Sequence, residues 1–305
     1  MSNRTLHESK NAIDNDEFYT MYSDISAELP HYFDQLKGKC VYCNCDNPLE
    51  SNFVLYLVRH FREIGLKGLT ATCIMPSNGL LLSVSDVPDD VSAYSDEQIR
   101  NWVEGHLQTL DGDGSFQSQE CLSILDGCDI VITNPPFSLF RKWYDCVKNA
   151  GRQFLILCNM NTCLASNISG DIIEGKVRFG SSTVNKVFEF TTRNGSVRRI
   201  GYVCWFTDMA VPEKPYIPLK GYDPDAYQRY DGQDIPKISR VSELPDYDGI
   251  MGVPTSFLFK HNPSQFRLVG IARHGCDNRY DLFKPYVQGK EQYQSLLIQK
   301  VTTKY

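Results

Sequence analysis

The sequence predicts an α/β protein built on a doubly wound, mostly parallel sheet with a C-terminal extension. Three observations carry that expectation. Short apolar runs rich in β-branched, aromatic and cysteine residues recur at Lys39–Cys45, Gly68–Ile74, Asp129–Thr133 and Phe154–Cys158, as buried strands require. Between them, Ser51–Ile64, Gln117–Leu125 and Phe137–Asn149 space their apolar residues at helical intervals. After Gly175 the texture turns to strands and loops, so residues 1–206 are expected to form the sheet domain and 207–305 the extension.

Taken in order, Glu17–Leu29 carries Phe18, Met21, Tyr22, Ile25 and Leu29 on one helical face and is stopped by Pro30. Lys39–Cys45 is the first core strand. A turn at Asp46-Asn47-Pro48 leads into a helix that Ser51 caps and Gly65 ends, and Gly68–Ile74 is the second strand. Pro76–Gly114 reads as an acidic, irregular insertion with one helix near 95–109. The 117–125 helix then delivers the chain to the Asp129–Thr133 strand. Further on, Val187–Thr192 and Val197–Phe206 are expected to pair antiparallel through Asn194-Gly195, a hairpin signal. Residues 212–254, rich in Pro, Gly, Tyr and Asp, read as long loops. Phe266–Ile271 and Ser295–Val301 return as strands.

A chain of 305 residues with 42% hydrophobic and 22% charged content and no long apolar run is globular, neither membrane-spanning nor disordered. Its polar start, Met1-Ser2-Asn3-Arg4, lacks an apolar signal core, so an intracellular, cytoplasmic protein is expected. The eleven cysteines form no paired framework, and Cys128, Cys158 and Cys204 sit in apolar runs as buried thiols do. Cys43 and Cys45 would share one face of their strand and Cys40 the other. With no second pair to complete a site, no metal is expected.

The net charge of −6 is unevenly spread. Residues 86–126 hold ten acidic side chains against Arg100 alone, whereas 175–201 carry +5 and 257–290 carry +4. Such polarity lets an acidic molecule present a basic face to phosphate, with Arg198, Arg199 and Arg273 as the candidate contacts.

The most informative string is Asn134-Pro135-Pro136-Phe137, directly after the Asp129–Thr133 strand. A strand ending there delivers its turn to the carboxyl edge of the sheet, where open α/β folds place ligands. The Asn134 amide and the Pro135 carbonyl can both accept hydrogen bonds from a planar exocyclic amine. The two prolines fix φ and remove competing donors, and Phe137 can stack on the ring that bears the amine. Three other segments occur in a consistent order: Asp16-Glu17-Phe18-Tyr19-Thr20, Val41-Tyr42-Cys43-Asn44-Cys45-Asp46-Asn47-Pro48, and Gly112-Asp113-Gly114-Ser115-Phe116.

The tetrapeptide resembles the catalytic motif of amino-methyltransferases that use S-adenosylmethionine (SAM). With Ser51-Asn52-Phe53, Cys204-Trp205-Phe206-Thr207 and Tyr247-Asp248-Gly249-Ile250-Met251-Gly252-Val253-Pro254, most of the chain resembles the EcoRI-type family of adenine-specific DNA methyltransferases. The resemblance implies a Rossmann-like sheet and methyl transfer from SAM to the N6 amine of a flipped adenine in a specific duplex DNA sequence. It implies catalytic roles for Asn134, Pro135, Pro136 and Phe137, and cofactor contacts from Phe18, Tyr19, Thr20, Asn44, Asp46 and Asp113. Asp46 would receive the methionine ammonium group and Asp113 the adenine amine. Double-stranded DNA is the implied partner, its target sequence read by the 207–305 extension with the 212–254 loops as candidate base readers, in restriction-modification or in orphan or viral protection, with a cognate endonuclease that need not bind the chain. No Gly-x-Gly follows the first strand and the second lacks a terminal carboxylate, both departures from the usual cofactor pattern. Two alternatives stay open: a catalytically silent relative serving as a DNA-binding or antirestriction module, and an amino-methyltransferase acting on RNA or on a protein glutamine.

Overall fold

The computed structural model describes residues 18–182, 188–192, 197–275 and 278–302. The chain divides into two compact units, one of residues 1–163 with 180–211, the other of 164–179 with 212–305. The segment 164–179 thus belongs with the C-terminal residues rather than with the sheet that precedes it.

In the first unit the strands are β1 (Phe18–Thr20), β2 (Cys40–Cys43), β3 (Gly68–Cys73), β4 (Leu80–Val84), β5 (Leu107–Thr109), β6 (Ile130–Thr133), β7 (Gln153–Asn159), β8 (Phe188–Thr192), β9 (Val197–Ile200) and β10 (Val203–Thr207). Those of the main sheet run in the order β5-β4-β3-β2-β6-β7-β10. The pairs β3–β2, β2–β6 and β6–β7 are parallel, and the flanking pairs are antiparallel. This is the mixed, mostly parallel α/β sheet that the alternating apolar runs predict. Ile130, Val131, Ile132 and Thr133 are all fully buried, as a central strand covered on both faces must be.

Helices α1 (Tyr22–Glu28), α2 (Asn52–Arg59), α3 (Asp96–Glu104), α4 (Gln119–Asp126) and α5 (Phe140–Asn149) cover the unit. Their starts follow local chemistry. Ser51 caps α2 by accepting from the Phe53 and Val54 amides, Ser95 and Gln98 form a reciprocal capping box on α3, and Ser118 caps α4. On α5, Phe140, Trp143, Tyr144 and Val147 recur at helical spacing and are buried.

Three expectations are corrected here. The Glu17–Leu29 helix begins only at Tyr22, because Phe18–Thr20 pairs antiparallel with β8. The 76–114 insertion is not irregular. Its Leu80-Leu81-Leu82 run supplies β4 and, with β5, extends the main sheet antiparallel at one edge. The Val197–Phe206 run splits at Gly201-Tyr202: β9 pairs with β8, whereas β10 leaves to pair with β7. Asn194-Gly195 lies outside the described residues.

The second unit holds α6 (Ser166–Ile173) and a sheet of β11 (Ile250–Pro254), β12 (Phe266–Ala272), β13 (Asp281–Phe283) and β14 (Ser295–Lys300), in the order β11-β14-β12-β13. The two late apolar runs are thus central, antiparallel neighbours. Gly252 is fixed by packing, since a Cβ there would stand 2.4 Å from the Tyr230 ring. Tyr247 stacks on Tyr222 with centroids 4.3 Å apart, and Lys300 bridges Asp246 and Asp248. Tyr247, Asp248 and Gly252 of the 247–254 string are thus held by contacts within this unit.

Among the described residues no helix is long and apolar enough to cross a membrane, and no cluster of three or more His, Cys, Asp or Glu side chains is arranged to hold a metal ion.

Candidate active site

Strands β2 and β6 are parallel neighbours, yet the chain leaves them in opposite directions across the sheet, from β2 to β3 and from β6 to β7. Their carboxyl ends therefore open on the topological switch point, where doubly wound sheets form their crevice. The Asn44–Asp46 turn ends one strand and Asn134-Pro135-Pro136-Phe137 ends the other.

Asp46 ties the two together. Its Oδ1 accepts from the Ser51 hydroxyl at 2.7 Å, its Oδ2 accepts from the Thr133 hydroxyl, and the Asn134 backbone N–H donates to the same carboxylate. A carboxylate offers about four lone-pair sites, so about one remains. Burial pushes the Asp46 carboxyl up from 3.8 to about 6, with the three hydrogen bonds pulling the other way.

After Thr133 the chain turns outward. Pro135 is buried, while Asn134, Pro136 and Phe137 are half-buried. Phe137 opens a short 3-10 turn, Phe137–Leu139, that feeds α5, and its ring meets Phe190 of β8 edge-on, centroids 6.3 Å apart at 85°. Phe190 is the register partner of Thr20 on β1. One strand, β8, therefore braces both the aromatic of the motif and the segment that precedes α1. The Thr20 hydroxyl is buried without a hydrogen-bond partner, whereas its carbonyl accepts from Asn52 Nδ2 at 2.8 Å. An unsatisfied buried hydroxyl beside the carboxyl edge suits a polar ligand.

Asn44 is placed differently from expectation. Its Oδ1 is turned inward, accepting from the Trp143 indole N–H at 3.0 Å and from the Cys45 thiol, so this side chain fastens β2 to α5 instead of presenting its oxygen to a ligand. Asp113 is exposed, with Oδ1 accepting from the Ser115 amide at 2.9 Å. Its loop is no free turn. The Met75 amide donates to the Asp113 carbonyl at 2.9 Å, the Gly79 amide to the Gly112 carbonyl at 2.8 Å, and Glu120 accepts from the Asp111 and Gly112 amides. Gly114 is required there: its φ is +81°, and a Cβ would stand 2.2 Å from the Cys73 carbonyl oxygen. Gly114→Ala is expected to lower the unfolding free energy by about 2–4 kcal/mol through left-handed strain and displacement of the β3 end. Urea unfolding checks this, and a wild-type midpoint would contradict the close approach.

The basic candidates separate. Arg199 is exposed on β9 and pairs with Glu189 at 2.9 Å. Arg273 is buried in the second unit, bonded to Asp281 at 2.5 Å, the Leu164 carbonyl at 2.6 Å and the Ser169 hydroxyl at 2.9 Å. A guanidinium spent on three internal acceptors anchors its own unit, so the expectation of a phosphate contact at Arg273 gives way to a structural role. The side chains of Phe18, Tyr19 and Arg198 lie outside the described residues. Sequence reasoning missed Thr133, Trp143 and Phe190 as site-forming residues. Each is an ordinary strand or helix residue by pattern, and only its partner reveals it.

A Rossmann-like sheet with an Asn-Pro-Pro-Phe turn at its switch point is the architecture of a methyltransferase. A family model described as "Adenine-specific methyltransferase EcoRI" matches residues 5–304, and the chain belongs to that family. It is 34% identical over 320 residues to the type II methyltransferase M.EcoRI of Escherichia coli, covering 97% of this chain and 96% of the relative. It is 32% identical to the type II methyltransferase M.MpnI of Mycoplasma pneumoniae over 278 residues, 84% and 82% of the two chains. A third relative, M.MgeORF184P of Mycoplasma genitalium, is 30% identical over the same shares. No solved structure matches the chain.

Proposed function

We propose that this protein is a cytoplasmic DNA methyltransferase that transfers a methyl group from SAM to the N6 amine of a flipped adenine within a specific duplex sequence, as the modifying partner of a restriction-modification system. The observation that carries the proposal is the Asn134–Phe137 turn at the sheet's switch point, clamped to the β2 end by Asp46. When bound, SAM supplies an electrophilic methyl group. The chain's part is positioning. The Asn134 side-chain oxygen and the Pro135 carbonyl accept the two amine hydrogens, which aims the nitrogen lone pair and stabilises the positive charge that grows on it. Phe137, braced edge-on by Phe190, supplies an aromatic ring for the extruded base to stack on.

The residues at the β2 end fit the methionine moiety. Asp46 retains about one acceptor site for an ammonium group, and the buried Thr20 hydroxyl has a polar contact to give. Asp113, held out by the glycine-flanked loop, has a carboxylate oxygen for the adenine amine. Exposed Arg199 is the described candidate for a phosphate contact, and a shallower salt dependence of DNA binding in Arg199→Ala would support it.

The Asp46 titration gives this reading a sign. A carboxyl whose folded value is raised to about 6 favours folding below about 3.8, and that contribution is lost as pH rises through about 6. Ligand binding runs the other way, because only the ionised form attracts an ammonium group. SAM affinity is expected to fall about tenfold per pH unit below about pH 6. Calorimetric titrations between pH 5 and 7.5 check it, and a flat profile would remove Asp46 from the contact.

The function itself is tested by incubating the chain with labelled SAM and unmethylated DNA, then separating the nucleosides. Label in N6-methyladenine supports the proposal. SAM binding without label in DNA would direct attention to RNA or protein amides.

A further inference from the structure

Residues 86–126 place a single base, Arg100, among ten acids, and that base lies on α3 close in sequence to Asp96, Glu97 and Glu104. Coulomb attraction alone would pair it with one of them. Among the described residues it pairs with none. Instead Nη1 donates to the Leu49 carbonyl and Nη2 to Asn52 Oδ1 at 3.3 Å. The nearby acids are met by other bases: Asp96 by Arg59 at 2.6 Å, Asp86 and Asp89 by Arg62 at 2.9 and 2.8 Å.

The two acceptors that Arg100 takes are not arbitrary. Leu49 lies in the turn between Asp46 and the Ser51 cap, and Asn52 is the first residue of α2. Asn52 passes the constraint on, since its Nδ2 donates to the Thr20 carbonyl at 2.8 Å. One half-buried guanidinium thereby fixes the turn after β2, the start of α2 and the end of β1, the three segments that surround the Thr20 hydroxyl and Asp46. A glycine-rich loop would be held by its own tight backbone. This turn has no Gly-x-Gly, so its geometry rests on side chains, and the planar fork of an arginine bridges two acceptors in a way that a lysine cannot.

We propose that Arg100 is a positioning residue for methyl-donor binding, through which the acidic insertion locks the cofactor turn in place of glycine-loop rigidity. This rests on the reading of Thr20 and Asp46 as donor contacts. The test is calorimetric SAM binding to the full chain for Arg100→Met, Arg100→Lys and Thr20→Val, with the thermal midpoint of each unliganded variant and its affinity for unmethylated duplex DNA without SAM.

The loss of a hydrogen bond from a charged donor is expected to weaken SAM about tenfold in Arg100→Met, with DNA affinity unchanged. Arg100→Lys keeps the charge and one bond and should fall between Met and wild type. Should Arg100→Met lower the midpoint so far that binding cannot be compared, the lysine variant decides the matter by the same scale. Wild-type SAM affinity in both Arg100 variants while Thr20→Val weakens it would overturn the proposal and leave the donor site standing. Wild-type affinity in all three would overturn both. Equal loss of SAM and DNA binding in Arg100→Met would show a general structural defect and also overturn the proposal.

Discussion

Asn134→Ala should fold like the wild type, bind SAM with unchanged affinity, and lose about a thousandfold in methyl transfer, the scale on which single preorganised polar groups contribute when charge develops in a transition state. The fold should survive because the link from this residue to Asp46 runs through its backbone N–H, which alanine keeps. Pro135, Pro136 and the Phe137–Phe190 contact are likewise untouched. What disappears is the amide oxygen proposed to accept from the target amine. Single-turnover transfer alongside a thermal melt checks both halves. Transfer within tenfold of wild type would remove Asn134 from the chemistry.

The second large effect is expected at Asp46, this time on stability. Asp46→Ala strands three donors, the Ser51 and Thr133 hydroxyls and the Asn134 amide, at a buried point. Each unsatisfied buried donor costs about 1–3 kcal/mol, so a loss on the order of 3–9 kcal/mol is expected. Much of a domain's net stability is only about 5–15 kcal/mol, so the variant should be marginal at 37 °C. Asp46→Asn keeps an acceptor oxygen of the same size, and the two hydroxyls can rotate to meet the new amide. It should therefore recover most of the stability while losing SAM affinity, because the negative charge is gone. Urea unfolding separates the two variants. Equal midpoints would mean that the Asp46 hydrogen bonds do not hold the switch point together.

The parallel centre of the sheet was legible because its strands are continuous buried runs such as Ile130–Thr133, which no amphipathic element imitates. The edge was not. Leu80–Val84 is a partly exposed antiparallel strand whose three consecutive leucines show no polar–apolar alternation, so the local pattern did not mark it as an edge strand. Phe18–Thr20 is three residues long and owes its strand state to β8, a partner about 170 positions away that local periodicity cannot see. At the site, Asn134-Pro135-Pro136-Phe137 announced itself through rare composition. Asp46 stands out in the sequence as a candidate by its place after the first strand, whereas its grip on Thr133 depends on the β2–β6 pairing. Asn44 and Arg273 show the opposite case. Both are polar residues of the kinds ligands use, and each is consumed by internal partners that only the fold supplies. The long family string 247–254 identified kinship, while its physical content, the Tyr230 packing at Gly252 and the Tyr222–Tyr247 stack, concerns the second unit's own architecture.

The most direct measurement is to express the chain in cells that lack adenine methylation, beside its Asn134→Ala variant, and map modified bases in plasmid DNA by sequencing. N6-methyladenine at one recurring sequence with the wild-type chain, absent with Asn134→Ala, is the expected result. An unmodified plasmid from cells that contain folded, SAM-binding protein would contradict DNA adenine methylation as the activity, and equal methylation by the variant would contradict the role given to Asn134.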